Sequence, residues 1–205
     1  VRQVVERAEG NAFFAEELVA ATALGGSGLA EDLSRLLLVR FDQLDTAGQH
    51  VVRVASASGR LVSHRLLAAV AGLGEAELDA GLRDAVEHHV LVPTDSGGYA
   101  FRHALLGETV YDDLLPGERV RAHERYAAAL AQDRTLGTWA ELARHATAAG
   151  LREQAREASV QAGDSAMRMA GPEEAFRHFK NALALMSETD PDVDTFPTRT
   201  TLTFD

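Results

Sequence analysis

Residues 99–115 read YAFRHALLGETVYDDLL, and in them a short apolar strand runs directly into a helical pattern. A second short strand, Val90–Val92, lies just upstream, and Asp95–Gly98 joins the two. Two apolar runs on either side of an Asp/Gly-rich turn are typical of a β-hairpin. Because the rest of the chain has helical patterning, this single hairpin among short helices predicts a winged helix.

Apolar residues recur at helical spacing on both sides of the hairpin. The helices expected before it are one over Glu31–Leu44, one opened by a Thr46/Gln49 capping box, one capped by Ser63, and one over Glu75–His89. After the hairpin, a helix over Ala104–Leu115 should end at Pro116-Gly117, because proline cannot continue a helix.

From Glu118 to about Met186 the pattern is wholly helical. A Thr138/Glu141 capping box, Gly150 and Gly171-Pro172 mark the expected helix ends. Small residues on one helix face aromatic residues on the next, which is typical of stacked helical hairpins in a solenoid. The prediction is a mainly α fold, a winged-helix domain followed by helical hairpins.

The composition limits the classes of partner. The chain has 205 residues, of which 31 are acidic and 20 basic, giving a net charge of −11. Such a balance disfavours nucleic acid and anionic membranes. No apolar run is long enough to span a bilayer, and the first residues do not form a signal peptide. We therefore expect a cytoplasmic protein, and a chain that starts at Val1 inside a helical pattern suggests a segment of a longer one.

No catalytic or metal-binding constellation is visible. The chain has no cysteine, which excludes a thiolate nucleophile and a cysteine-based zinc site. His88 and His89 point about 100° apart on a helix and cannot chelate one metal ion together. The sequence has no Gly-x-Ser-x-Gly elbow and no Gly-rich loop ending in Lys-Ser/Thr. We expect no enzyme activity from this chain, and we interpret His123, on an apolar stripe, as a hydrogen-bonded core residue.

A winged helix raises the question of DNA binding, because its recognition helix precedes the wing. That helix would be Glu75–His89, whose expected exposed positions are acidic except for Arg83. The acidic positions are Glu75, Glu77, Asp79, Asp84 and Glu87. Since acidic side chains repel phosphates, and the wing tip is not basic, we interpret this winged helix as a protein-packing domain.

Three stretches together resemble STAND-class, AAA-type ATP-binding regulators. RAEGNAFFAEELV, Arg7–Val19, resembles the Glu-Gly-Asn-Pro-Phe-Phe motif at the end of their ATPase module. Residues Phe101–Leu130 resemble the region just after their winged helix, and Ala140–Leu185 resembles their tetratricopeptide-like sensor. The most similar group is the large LuxR-type transcriptional regulators of bacteria.

The resemblance implies a domain layout and a function. The expected parts are residues 1–25 as the end of the ATPase lid, 26–30 as a linker, 31–116 as the winged-helix domain, 117–187 as the tetratricopeptide-like region and 188–205 as a disordered tail. The implied function is that of a middle segment, which couples a nucleotide-binding module absent from this chain to a helical sensor. The alternative is a free-standing helical scaffold that binds a protein partner and no nucleotide.

The resemblance also implies site residues. His103 matches the histidine of a Met-His-Asp motif that contacts the β-phosphate of ADP, although the acidic position is Ala104 here. Asn11 and Ala12 match the turn near the adenine, where the family has proline in place of Ala12. ATP or ADP would then be bound by the parent protein and not by this segment. The implied partners are the ATPase module and an effector protein or small molecule on the helical region. Because further repeats are missing, we expect Ala140–Met186 to leave one end apolar, so that the segment self-associates or is only marginally stable. The alternative interpretation of His103 is a residue that caps the strand–helix junction.

Overall fold

A computed structural model describes residues 38–186, of which residues 38–42 are helical. The predictions for the lid end, the linker and the tail lie outside these residues, as does most of the helix expected over 31–44. The chain divides into two compact units between Leu136 and Gly137.

The described part of the first unit contains five further α-helices, three strands and a 3-10 turn. In chain order the elements are α1 Thr46–Ser58, β1 Leu61–Ser63, α2 His64–Ala71, α3 Glu75–Glu87, β2 Leu91–Pro93, β3 Gly98–Phe101, α4 Ala104–Asp113, α5 Pro116–Gln132 and a 3-10 turn at Arg134–Leu136. This helix–strand–helix–helix–strand–strand order is that of a winged helix, and the predicted mainly α class is confirmed.

The sheet has three strands, not the two of the predicted hairpin. Its order is β1-β3-β2, all antiparallel, with Leu61 opposite Ala100 and Leu91 opposite Phe101. The strand β1 was missed because it is only three residues long and ends at Ser63, which is also the N-cap of α2. Glycine at position 98 lets the strands approach, since a Cβ there would lie 2.5 Å from the Val62 carbonyl oxygen.

Capping boxes predict two helix starts. The structure confirms one of them and has a different N-cap residue at the other. At the helix over Trp139–Ala148, the Thr138 hydroxyl accepts the Glu141 N–H at 3.2 Å and Glu141 accepts the Thr138 N–H at 2.6 Å, as predicted. At α1 the N-cap is Asp45, whose Oδ1 accepts the Gly48 N–H at 2.7 Å. Thr46 therefore lies inside the helix, because the carboxylate one residue earlier supplies the cap.

The core of the first unit is built where α3 crosses α1. A Cβ on Gly81 of α3 would lie 2.7 Å from the carbonyl carbon and oxygen of Ala47, so the two backbones are nearly in contact. Asp84, one turn further along α3, accepts the Asp45 N–H through Oδ2 at 2.8 Å. This carboxylate satisfies a donor at the start of α1 and fixes the crossing point of the two helices.

The helix α5 belongs to the first unit, although the sequence pattern grouped it with the hairpins that follow. It packs against α1 and α2. Its Tyr126 is fully buried, and the hydroxyl donates to the Val54 carbonyl at 3.1 Å. His123 is also buried, as predicted, and its Nε2 lies 2.9 Å from the Tyr111 hydroxyl. The division of the chain consequently falls after Leu136 and not after residue 116.

A two-residue connection joins α4 to α5, and we call Leu114–Leu115 the elbow. Leu114 is buried, and Pro116 begins α5 at once. The Arg119 guanidinium donates to the Leu114 carbonyl at 3.0 Å and to the Asp112 carbonyl, and it lies 4.9 Å from the centre of the Tyr111 ring. One side chain therefore bonds to both sides of the elbow.

Up to residue 186, the second unit has three helices in sequence, α6 Trp139–Ala148, α7 Arg152–Arg168 and α8 Pro172–Leu185. Each packs against the next across a three-residue connection, which makes neighbouring helices antiparallel. The predicted packing of small against aromatic residues occurs at Gly163, where a Cβ would overlap the Phe179 ring. Four alanines of α7 are also buried: Ala155, Ala158, Ala162 and Ala166.

We expect Gly81→Ala to lower the free energy of unfolding by about 1–3 kcal/mol, because the added methyl group forces α3 away from α1. The loss should appear in urea denaturation even though alanine is the better helix former by about 1 kcal/mol. Gly74→Ala is the control, because a Cβ at that position meets no atom within 4 Å. A Gly81→Ala protein as stable as the wild type would contradict the close helix crossing.

Candidate functional site

The sequence places its main candidate, His103, at the junction between β3 and α4, and the structure does the same. His103 is the N-cap of α4, with φ −128° and ψ 121°, and it is half-buried. Its carbonyl accepts the Leu106 N–H at 3.0 Å, while its ring makes no capping bond to the helix. His103 therefore occupies the N-cap position that the alternative interpretation gives it, and its backbone carbonyl is the acceptor.

The chain on both sides of His103 is packed into the core. Phe101 before it and Leu106 after it are buried. The Phe101 ring lies directly over α4, since a Cβ on Gly107 would be 2.8 Å from a ring carbon. The residues on both sides of the junction are therefore packed into the core, while His103 itself stays partly exposed.

The start of α4 differs electrostatically from the other helix starts in residues 38–186. Acidic residues lie in the first turns of α3, α5, α6, α7 and α8, and side chains of Asp45 and Ser63 cap α1 and α2. The first turn of α4 contains no acidic residue, and no side chain caps it. Its partial positive charge is therefore not offset by a carboxylate, which suits an anion.

Two further residues were predicted to contribute to a nucleotide site with His103. Asn11 and Ala12 lie outside the described residues, so the structure does not place them near His103.

The exposed surface of α3, the recognition helix of a winged helix, is acidic. Glu75, Glu77, Asp79 and Glu87 are exposed, and Arg83 is the basic residue among them. The pKa of Tyr99 on β3 is raised, first by burial and then by the negative charge of Asp79. This surface would repel the phosphates of a DNA duplex.

Asp84 was predicted to share this exposed surface, and that prediction is wrong. Its side chain turns toward α1, where Oδ2 accepts the Asp45 N–H, and Oδ1 lies 3.0 Å from Nδ1 of His88. Helical periodicity alone did not show that this carboxylate bonds to the start of another helix.

We expect no saturable binding of duplex DNA at physiological salt, with any dissociation constant weaker than about 10⁻⁴ M. Fluorescence anisotropy with a labelled duplex would measure it. Replacing Glu77 and Glu87 with arginine should raise the affinity, because the repulsion on α3 is then removed. Micromolar binding by the wild type that weakens steeply with salt would contradict the assignment of α3 to protein packing.

The helix α8 of the second unit exposes a row of apolar side chains. Phe176 and Leu183 are seven residues apart, two turns on the same side, and remain 61% and 49% exposed. Ala175 and Ala182 are buried. An amphipathic helix normally covers such side chains, so this row suits contact with another chain.

We expect the chain to self-associate through this row as its concentration rises. Burying Phe176 and Leu183 would contribute about 1.5–3 kcal/mol for each side chain. Phe176→Ser combined with Leu183→Ser should therefore weaken association at least about tenfold in sedimentation equilibrium. Leu61→Ser, on the exposed side of β1, is the control and should change nothing. A wild type that is monomeric at every concentration would contradict this prediction.

Two buried histidines have structural partners and do not form a metal site. His123 bonds to Tyr111, and Nε2 of His145 accepts from the Arg144 guanidinium at 2.7 Å. Among residues 38–186, no group of three histidine, aspartate or glutamate side chains could hold a metal ion. Within the same range, no helix is both long enough and apolar enough to cross a bilayer.

Comparison with known proteins gives one relative. An uncharacterised protein of Rhizobium meliloti (strain 1021) is 33% identical over 165 residues, which cover 76% of this chain. The chain spans only 16% of the length of that relative. No family model matches the chain, and no solved structure matches it.

Proposed function

We propose that this chain is the middle segment of a bacterial STAND-type, ATP-dependent regulator of the large LuxR type, in which a winged helix couples a nucleotide-binding module to a helical sensor. One observation carries the proposal: a winged helix with an acidic recognition helix precedes a unit of helical hairpins. The relative in Rhizobium adds support, because the matched region is a small part of a much longer protein.

The winged helix would act as a packing element between modules. Its α3 surface is unsuited to DNA, while Phe101 and Leu106 on either side of His103 are packed into its core. This domain has the winged-helix fold without the basic surface of a DNA-binding domain. It is therefore suited to contact another domain of the same protein.

In that role, His103 would contact a phosphate group of a nucleotide that the ATPase module binds. A ring N–H can donate to a phosphate oxygen, and the start of α4 adds partial positive charge. The nucleotide supplies the phosphate, and its cradle would belong to the ATPase module, since this sequence has no Gly-rich loop ending in Lys-Ser/Thr. Contact at His103 would hold the winged helix closed against that module.

The helical unit would be the sensor. Its exposed row on α8 and the stacked α6, α7 and α8 present a surface for an effector protein or small molecule. A regulator of this kind responds when the effector binds one arrangement of its modules better than the other.

A free-standing helical scaffold is the second candidate, and the exposed row of Phe176 and Leu183 favours it. The coding sequence upstream of Val1 distinguishes the two candidates. A Walker A motif there supports the regulator, whereas a start codon next to Val1 supports the scaffold.

In the full-length protein, we expect His103→Ala to speed ADP release by about 10–100-fold and to raise basal activation, because a hydrogen bond to a charged group is lost. Stopped-flow displacement of a fluorescent ADP analogue would measure the rate. His178→Ala, in the second unit, is the matched control and should leave the rate unchanged.

Thermal unfolding of the same variants separates a nucleotide contact from a structural role. We expect His103→Ala to unfold near the temperature of the wild type. A sharp loss of thermal stability with unchanged ADP release per folded molecule would make His103 structural and would refute its role in nucleotide sensing.

A further inference from the structure

A groove of about 160 Å³ lies between α1 and α5 in the first unit, beside the elbow. Three arginines line it: Arg53 from α1, and Arg121 and Arg125 from α5. His50 and Glu118 are the other ionisable residues of its wall, and Val54 is among its apolar residues. Neither the proposed nucleotide contact nor the helical sensor uses this groove.

The charge of the groove is opposite to that of the chain. Its wall carries three guanidinium groups and one carboxylate, which sum to +2, whereas the whole chain has a net charge of −11. Within residues 38–186, none of the three arginines forms an ion pair. The Glu118 carboxylate accepts the Leu115 N–H at 2.8 Å and so caps α5.

This arrangement has an energetic cost that an anion would offset. Arg121 and Arg125 are four residues apart on one face of α5, where like charges repel each other. Arg53 faces them from α1 and adds to the repulsion. The chain is acidic, and an ion pair with a carboxylate would reduce this repulsion. No carboxylate in the described residues forms an ion pair with these arginines.

Contacts on the α1 side order one wall of the groove before any ligand arrives, while Arg121 and Arg125 on the α5 side are exposed. The Arg53 guanidinium lies 5.0 Å from the centre of the Phe41 ring, which restricts its orientation. His50 Nε2 donates to the Ala71 carbonyl at 2.8 Å. The Tyr126 hydroxyl fixes α5 on α1 by donating to the Val54 carbonyl. A preformed site loses less entropy when it binds a ligand.

We propose that this groove binds the phosphate group of a phosphorylated small molecule. Guanidinium groups donate pairs of parallel hydrogen bonds to phosphate oxygens, and a phosphate dianion matches the net charge of the wall. The volume is well below the roughly 300–1,000 Å³ of pockets that enclose a whole drug-sized ligand. The groove therefore fits a phosphate or diphosphate group, with the rest of the ligand outside.

This site is independent of the contact proposed for His103. His103 precedes α4 and the groove lies beyond its other end, so helical rise separates them by about 15 Å. The groove belongs wholly to this chain, so its test requires no ATPase module. Failure of one proposal therefore leaves the other intact.

The test is a calorimetric titration of the purified 205-residue chain with inorganic pyrophosphate. We expect saturable binding that weakens about 10–100-fold in a protein carrying Arg121→Gln and Arg125→Gln. Arg177→Gln, an exposed arginine of the second unit, is the control and should bind like the wild type. Both substituted residues of the double variant are exposed, so its melting temperature should stay unchanged and any loss of binding reports on the groove.

Two further titrations test the role of the guanidinium geometry and the identity of the phosphate compound. Arg53→Lys keeps the charge but removes the planar donor pair, so pyrophosphate should bind more weakly there as well. Phosphate, ADP and a sugar phosphate titrated in parallel show which phosphate source binds best. Absence of pyrophosphate binding, equal binding by the double variant, or tighter binding of a glutamate-rich peptide than of every phosphate compound would overturn the proposal.

Discussion

The crossing of α3 over the start of α1 is the constraint on which the first unit depends. Gly81 allows the backbones to meet, and Asp84 accepts the Asp45 N–H at that point. Because a single carboxylate satisfies a helix start on another element, the orientation of α3 is fixed by hydrogen bonding as well as by apolar packing. The strands that follow α3, and the junction at His103 after them, take their positions from this crossing.

Much of the fold follows from local signals in the sequence. The Asp/Gly-rich turn predicted the wing, and the Thr138/Glu141 box predicted the start of α6, because both depend on residues close together in the chain. The strand β1 forms by pairing with β3, which is distant in the sequence. Its three residues alone therefore do not predict a strand. The position of α5 depends on the hydrogen bond from the Tyr126 hydroxyl to the Val54 carbonyl, 72 residues away in the sequence. Helical periodicity cannot predict a contact between residues so far apart.

The same distinction applies to the candidate sites. The sequence placed His103 at a strand–helix junction, because the strand and helix patterns meet there. The arginine groove combines Arg53 of one helix with Arg121 of another, and the net charge of the chain gives no hint of it. Composition reports the average of a surface, whereas binding depends on which few charges the fold brings together.

The elbow between α4 and α5 has a mechanical consequence. Arg119 ties the Asp112 and Leu114 carbonyls together, Pro116 restricts the next backbone torsion, and Tyr126 fastens α5 to α1. These contacts restrict bending between the end of α4 and the arginines of α5. A shift of α4 should therefore carry α5 with it and displace one wall of the groove.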